Sequence, residues 1–488
     1  MACPVKYRKL NTFYKYYSGQ LQAPFPVICI GGNHEASNYF LELYHGGWVA
    51  PHFYYLGTTG SVLFGGLRIS GISGIFKAYH FNKGQDESCP MNRDSIYSAY
   101  HVRRYSVWKL NQLHGHSVDI MLSHEWPTCI WKYGNYQSLL KWKSHFGPDL
   151  LRNQLGNPAL NHLLFQLQPK QWFAGHLHCK FSATVKHQDT GNVSQFLATD
   201  KFDHSHKRRR FVQVLDFKVP DGVSKDPLTG FYRMEYDPVW LAIVRSTNPF
   251  LSVHSHPVPL PAQNGGNGVN GQRWDYRPTA EEIEDIVQRF GGDLVIPSNF
   301  VETAPIAAEP GDPRINHKGA PPPFMPNPQT LWLMDKLGIT DKVTAKHQQL
   351  NAVKKRMDVL SGNGVPYMFG AAASGKGDDG DGNEQEIFQW IDPVPRRAAS
   401  KMVEDPNEIE IDDGDQVMGD PNEIDIDGDG GGQKSIFERM VEQGKAEKVD
   451  DPNEIEIDDI NDGLQQNDPN EIDIADVSMK DPNEIDID

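Results

Sequence analysis

Cysteine is scarce and scattered in this chain of 488 residues: five in all, Cys3, Cys29, Cys89, Cys129 and Cys179, never in a CxxC pair. An odd number at such wide spacing argues against a disulfide framework or a zinc ribbon, and favours a reducing compartment. Long apolar runs are missing too. No stretch approaches the roughly 18 apolar residues of a membrane span, and no charged start leads into an apolar run, so neither a transmembrane segment nor a signal peptide is expected. These absences point to a cytosolic or nuclear protein. Apolar residues make up only 38%, beside 44 glycines and 34 prolines, too little core material for a chain folded evenly along its length.

Positive charge is nearly absent from one end. The formal net charge is −17, yet residues 401–488 carry 30 acidic and 6 basic residues, a net of −24, which leaves +7 for the remainder. A mildly basic folding part permits a polyanion such as nucleic acid as partner, and equally permits an ordinary solvated surface.

Four regions follow. Residues 1–217 alternate short β-branched runs with helix-like segments, the pattern of an α/β or layered α+β domain. Strands are expected at Pro26 to Ile30, Val118 to Leu122, Gln171 to Ala174 and Phe211 to Phe217. Helices are expected at Tyr7 to Tyr17, Ile96 to Leu113 and Ala159 to Leu167. Residues 218–304 read as a smaller second unit containing MEYDPVWLAIVRSTN, with Thr279 and Glu282 forming a capping box and Gly291 and Gly292 closing that helix. Ala262 to Gln272, AQNGGNGVNGQ, reads as a surface loop. Residues 305–400 form a Pro- and Gly-rich linker, and 401–488 a disordered acidic tail with five DPNEI-[DE]-I copies starting at Asp405, Asp420, Asp451, Asp468 and Asp481. Their irregular spacing excludes a solenoid; alternating acid and isoleucine would also suit a strand added to a protein partner's sheet edge.

Three clusters carry chemistry: GGNHE (Gly31 to Glu35), SHEWP (Ser123 to Pro127) and GHLH (Gly175 to His178), each just past a predicted strand. Loops after strand ends converge in layered α/β folds, so the three can meet. His176 and His178, at i and i+2 on extended backbone, would point to one side and address one metal or two neighbouring ones. Asn33 can offer a carbonyl oxygen to a metal while the adjacent His34 stays free for proton transfer. With His124 added, the donor set suits Zn, Fe or Mn better than Mg or Ca.

The ordered set GNH[DE], lone His, GHxH resembles the second half of the calcineurin-like metallophosphoesterase signature. KYRKLNTFYKYYSGQ, GGWVAPHFYYLG, GISGIFK and LSHEWP are similar to the RNA lariat debranching enzymes within that superfamily, from about Met1 to Phe217 and more loosely to Ala304. The resemblance implies a metallophosphoesterase β-sandwich flanked by helices, with a small C-terminal domain. It implies hydrolysis of the 2′-5′ phosphodiester at the branch point of lariat RNA during intron turnover, and hence a nuclear protein. Asn33, His124 and His176 would bind one divalent metal (Fe2+, Zn2+ or Mn2+), His178 a second, and His34 would act as general acid. Ser73 to Arg103 corresponds to the family's lariat recognition loop, whose aromatic and basic residues would stack on unpaired bases and touch phosphates. KRRR at Lys207 to Arg210 reads as a nuclear import signal, a phosphate-facing turn or a solvated one.

The family signature also includes a strand ending in D-x-H or C-x-H and another ending in G-D. Neither occurs here, so the expectation is a chain lacking the family's N-terminal segment, with one metal site short of ligands. Two alternatives stay open beside a debranching enzyme: a catalytically dead branched-RNA-binding protein, and another metallophosphoesterase. SHEWP carries Glu125 where the family more often has Asp, which leaves a supporting role for that carboxylate open.

Overall fold

Among the described residues, short β-branched and aromatic runs interrupted by glycine make ten strands: β1 (Val27–Cys29), β2 (Gly47–Ala50), β3 (Phe53–Tyr55), β4 (Thr59–Phe64), β5 (Leu67–Ile72), β6 (Ile120–Ser123), β7 (Gln171–Ala174), β8 (Phe181–Lys186), β9 (Val193–Ala198) and β10 (Met234–Tyr236). They belong to a computed structural model that describes residues 12–202, 211–227, 229–261, 273–304 and 323–349. Seven strands form one mixed sheet in the order β10-β4-β5-β6-β7-β9-β8, and three form a second in the order β1-β3-β2. The central strands β5, β6, β7 and β9 run parallel. Antiparallel β4 and β10 lie on one side of them and β8 on the other. Helices flank the sheet, as a mixed α/β reading requires.

Parallel strands need crossovers: those from β5 to β6 and from β6 to β7 are helical, whereas β9 reaches its place beside β7 by way of β8. Pro158–Leu167, between β6 and β7, begins where the Asn157 side chain accepts the amides of Ala159 (2.9 Å) and Leu160 (3.3 Å), with Pro158 at the first helical position. It buries Ala159, Leu160, Leu163, Leu164 and Leu167, an i, i+3, i+4 stripe facing the core, and packs against the helix Arg104–Asn111. In β6 and β7, Met121 and Trp172 are register partners and both are fully buried, fixing the middle of the sheet.

The expected second unit shares the first sheet. β10 pairs with β4, and Asp237 just beyond it is fully buried. Its carboxylate accepts from Ser61 Oγ (2.8 Å), Arg68 Nε (2.7 Å) and the Val239 amide (3.1 Å), so one residue caps the helix Pro238–Thr247 and ties it to β4 and β5. The capping box of Thr279 and Glu282 opens the helix Ala280–Arg289, and Gly291 and Gly292 follow it with φ of 66° and 81°.

Other expectations need correcting. The helix expected over Ile96 to Leu113 is two, Arg93–Ser98 and Arg104–Asn111, because Arg103 turns inward. Its guanidinium donates to the carbonyls of Gly84, His101 and Ser98 and pairs with the buried carboxylate of Glu87. Phe211 to Phe217 carries no strand: no strand among the described residues pairs with it, and Val212 and Val214 are exposed. Inside the stretch read as linker, the helix Pro328–Leu337 buries Leu333, Met334 and Leu337. Of the helix expected over Tyr7 to Tyr17, Phe13–Tyr17 is observed, and residues 7–11 lie outside the described residues. The loop 262–272, the KRRR run and the acidic repeats lie outside the described residues.

Candidate functional site

The turns after β1, β5, β6 and β7 are stitched together by hydrogen bonds. The Gly74 amide donates to the Gly31 carbonyl (2.8 Å), the Gly31 amide to Ser73 Oγ (3.1 Å), and the Gly175 amide to the His124 carbonyl (3.0 Å). Three clusters distant in sequence thereby share one end of the sheets. The GGNHE turn is closed on itself by Glu35, whose carboxylate accepts the Gly32 amide (3.2 Å).

Asn33 is buried and presents Oδ1 to His124 Nε2 at 2.9 Å; the same nitrogen lies 3.2 Å from His176 Nδ1. The two imidazoles are tilted by 59° with centroids 4.8 Å apart. His124 Nε2 has either one proton or one in-plane lone pair, so it cannot make a full hydrogen bond to both neighbours. A divalent cation resolves that conflict: ligand atoms about 2.1 Å from a shared ion lie about 3 Å from one another. The residues therefore fit a metal, and they need the amide to do so, since no three His, Cys, Asp or Glu side chains form such a group among the described residues.

Burial and the neighbouring His176, His34 and His178 push the His124 imidazole down to about 3, keeping it neutral as a metal ligand must be. Glu125, next along, is pushed up to about 7 by burial, partly offset by the Phe76 amide, which donates to Oε2 at 2.6 Å. Its Oε1 lies 4.0 Å from His176 Nε2.

His176 and His178 do not sit on extended backbone. Both adopt left-handed conformations, φ 65° and 50°, beyond the end of β7. Side chains other than glycine tolerate that region only where the surroundings enforce it, and such strain concentrates at functional sites. His176 joins Asn33 and His124, whereas His178 is exposed. His34 is exposed at the rim, with Nε2 3.4 Å from Asn33 Nδ2. Ser73, expected only as the start of the recognition segment, also braces this end of the sheets: its hydroxyl accepts from the Gly31 amide and donates to the Gly57 carbonyl (2.7 Å), a role its position directly after β5 signals.

Residues 73–103 border the cluster through Ser73, Gly74 and Phe76. Tyr79 and Tyr97 are exposed, and His80 Nδ1 meets His101 Nδ1 at 2.6 Å. Of the closing arginines only Arg104 faces solvent; Arg103 is spent on Glu87 inside.

Residues 191–342 match the family model for the lariat debranching enzyme C-terminal domain. The chain is 40% identical over 336 residues to a lariat debranching enzyme of Arabidopsis thaliana, covering 69% of this chain and 73% of that protein. The chain belongs to the lariat debranching enzyme family. The Homo sapiens lariat debranching enzyme is 43% identical over 346 residues, 70% of this chain and 60% of the human protein, and that of Gallus gallus is 42% identical over 346 residues, 70% and 61%. The chain thus spans about 60% of the length of these vertebrate lariat debranching enzymes.

Proposed function

We propose that this chain hydrolyses the 2′-5′ phosphodiester at the branch point of lariat RNA with one or two divalent ions. The observation that carries the reading is the meeting of Asn33 Oδ1, His124 Nε2 and His176 Nδ1 at the ends of β1, β6 and β7 in a member of the lariat debranching enzyme family. In this reading Asn33, His124 and His176 hold one ion and the exposed His178 serves a second, with Fe2+, Zn2+ or Mn2+ suited to a nitrogen-rich set. What a bound ion supplies is positive charge against the phosphate oxygens and a lower pKa for the attacking water.

The chain's own residues do the rest. His34, at the rim, gives a proton to the departing 2′-oxygen; its Nε2 faces the Asn33 amide, which leaves Nδ1 as the proton-bearing nitrogen. The exposed rings of Tyr79 and Tyr97 stack on unpaired bases beside the branch, and Arg104 meets a phosphate. Intron turnover in the nucleus is the setting this activity implies.

The test is a synthetic branched RNA offered to the purified chain with Mn2+. Release of the 2′-linked arm, abolished by chelator, is the expected result. Tight binding without release would replace the enzyme with a branched-RNA binder. Neither binding nor release would remove the reading altogether.

A further inference from the structure

The 73–103 segment and residues 250–260 enclose a cavity of about 140 Å³, lined among others by Phe81, Lys83, Gln85, Arg104 and Phe250. That is space on the scale of one aromatic ring. Its two sides are fastened to one another: the Gly84 amide donates to the Ser255 carbonyl (3.2 Å) and the Gln85 amide to the Ser252 carbonyl (2.8 Å). A Cβ at position 84 would collide with the His254 carbonyl, so the approach is one that only glycine permits. Phe81 packs on Phe76 (ring centroids 5.2 Å apart), and Phe250 on Trp108 (5.3 Å) and Tyr276 (5.0 Å), so both lining rings are held by other rings. The Phe76 amide in turn bonds Glu125, which ties this side of the cavity to the turn that carries His124.

Gln85 supplies a specific polar group. Its side chain is buried, and Nε2 donates to the Glu87 carboxylate at 2.9 Å. That contact fixes which way the carboxamide points, because a carboxylate accepts only from its NH2 end. Oε1 is left buried, with no hydrogen-bond partner among the described residues. Buried acceptors are normally paired, so a ligand that brings a donor is favoured. Lys83 and Arg104, both exposed, add positive charge. Rings for stacking, a buried acceptor and two cations together suit an unpaired nucleotide. We infer that this cavity binds one unpaired nucleobase of the RNA, whose exocyclic amine donates to Gln85 Oε1 while the adjoining phosphate meets Lys83 or Arg104. Adenine and cytosine carry such an amine where uracil has a carbonyl oxygen, which would set acceptor against acceptor. The inference rests on the RNA partner given under Proposed function, and deepens it, but requires no metal.

Fluorescence anisotropy of the full chain with short labelled oligocytidylate and oligouridylate, in the presence of chelator, tests it, since the two bases share a ring size and differ at the amine. Wild type is expected to bind oligocytidylate about 10-fold more tightly. Gln85→Leu removes the acceptor and should bring the two affinities together. Phe81→Ala removes a partly exposed ring and should weaken both on the order of 10-fold while the preference stays; it carries the test if Gln85→Leu does not fold. Equal wild-type affinities, a preference unchanged in a folded Gln85→Leu, or full affinity in Phe81→Ala would each overturn the inference. Cleavage of branched RNA by a chain with no base preference would remove this inference and leave the hydrolysis standing; a base preference without cleavage would support the cavity and remove the hydrolysis.

Discussion

Gly32 is packed so closely on His124 that a Cβ at position 32 would lie 2.6 Å from the imidazole Cε1 and 2.9 Å from both ring nitrogens. The ring is thus held in place by the absence of a side chain opposite it. Gly32→Ala has to push His124 away from Asn33 and His176, and a displacement near 1 Å is enough to lower a rate about 100-fold. The variant should melt like wild type by circular dichroism, bind Mn2+ weakly and cleave branched RNA slowly. Full activity would mean that the ring can move without consequence.

His34 offers a contrasting case, since it borders the cluster without belonging to it. His34→Ala should lower turnover by about 10²- to 10⁴-fold, the usual contribution of a general acid. Metal content, measured by plasma emission, should be unchanged. Loss of metal in this variant would make His34 a ligand and reassign the proton to another group.

These residues stand out in the sequence because GGNHE, SHEWP and GHLH put rare donor types on tight turns after apolar runs. β7 was legible to its end residues, and the helix Ala280–Arg289 announced itself through its capping box. What stayed hidden depends on partners far along the chain. Nothing local shows that Arg103 will turn in to reach Glu87, sixteen residues back, and break a helix that propensity would continue. Phe211 to Phe217 is a short apolar run such as a strand offers, yet a strand exists only beside another strand. The left-handed backbone of His176 and His178 is uncommon outside glycine and nothing local marks it, which is why an extended HxH is expected and not found.

Lys109 is buried among the rings of Tyr44, Tyr105 and Trp240, with Nζ 5.7, 5.4 and 5.1 Å from their centroids. Burial pushes its ammonium down to about 7, against about 10.4 in an unfolded chain. Below pH 7 both states are protonated and the folded one carries the whole penalty of a buried charge. Between pH 7 and about 10.4 the unfolded state holds a proton that the folded state has released, so this group makes stability rise with pH. Lys109→Met should therefore exceed wild type in urea midpoint at pH 6 to 7, with the difference shrinking towards pH 10. A difference independent of pH would mean that the cation–π contacts keep Lys109 charged throughout.

Gln329 closes an open sheet edge. β2 is the outer strand of the three-stranded sheet, and its Trp48 amide donates to Gln329 Oε1 (2.7 Å) while Gln329 Nε2 donates to the Trp48 carbonyl (2.9 Å). The carboxamide takes the place a neighbouring strand's peptide group would fill, and with it the helix Pro328–Leu337 is docked on β2. Gln329→Ala leaves a buried N–H and a buried C=O without partners, each costing about 1–3 kcal/mol. Urea denaturation should register a loss of about 2–6 kcal/mol, with little change in Mn2+ affinity, because neither Trp48 nor Gln329 belongs to the cluster of Asn33, His124 and His176. Gln329→Glu retains an acceptor for the amide but sets a carboxylate against the carbonyl, so it should be no more stable than the alanine variant. Wild-type stability in Gln329→Ala would show instead that Leu333, Met334 and Leu337 hold the helix by apolar burial alone.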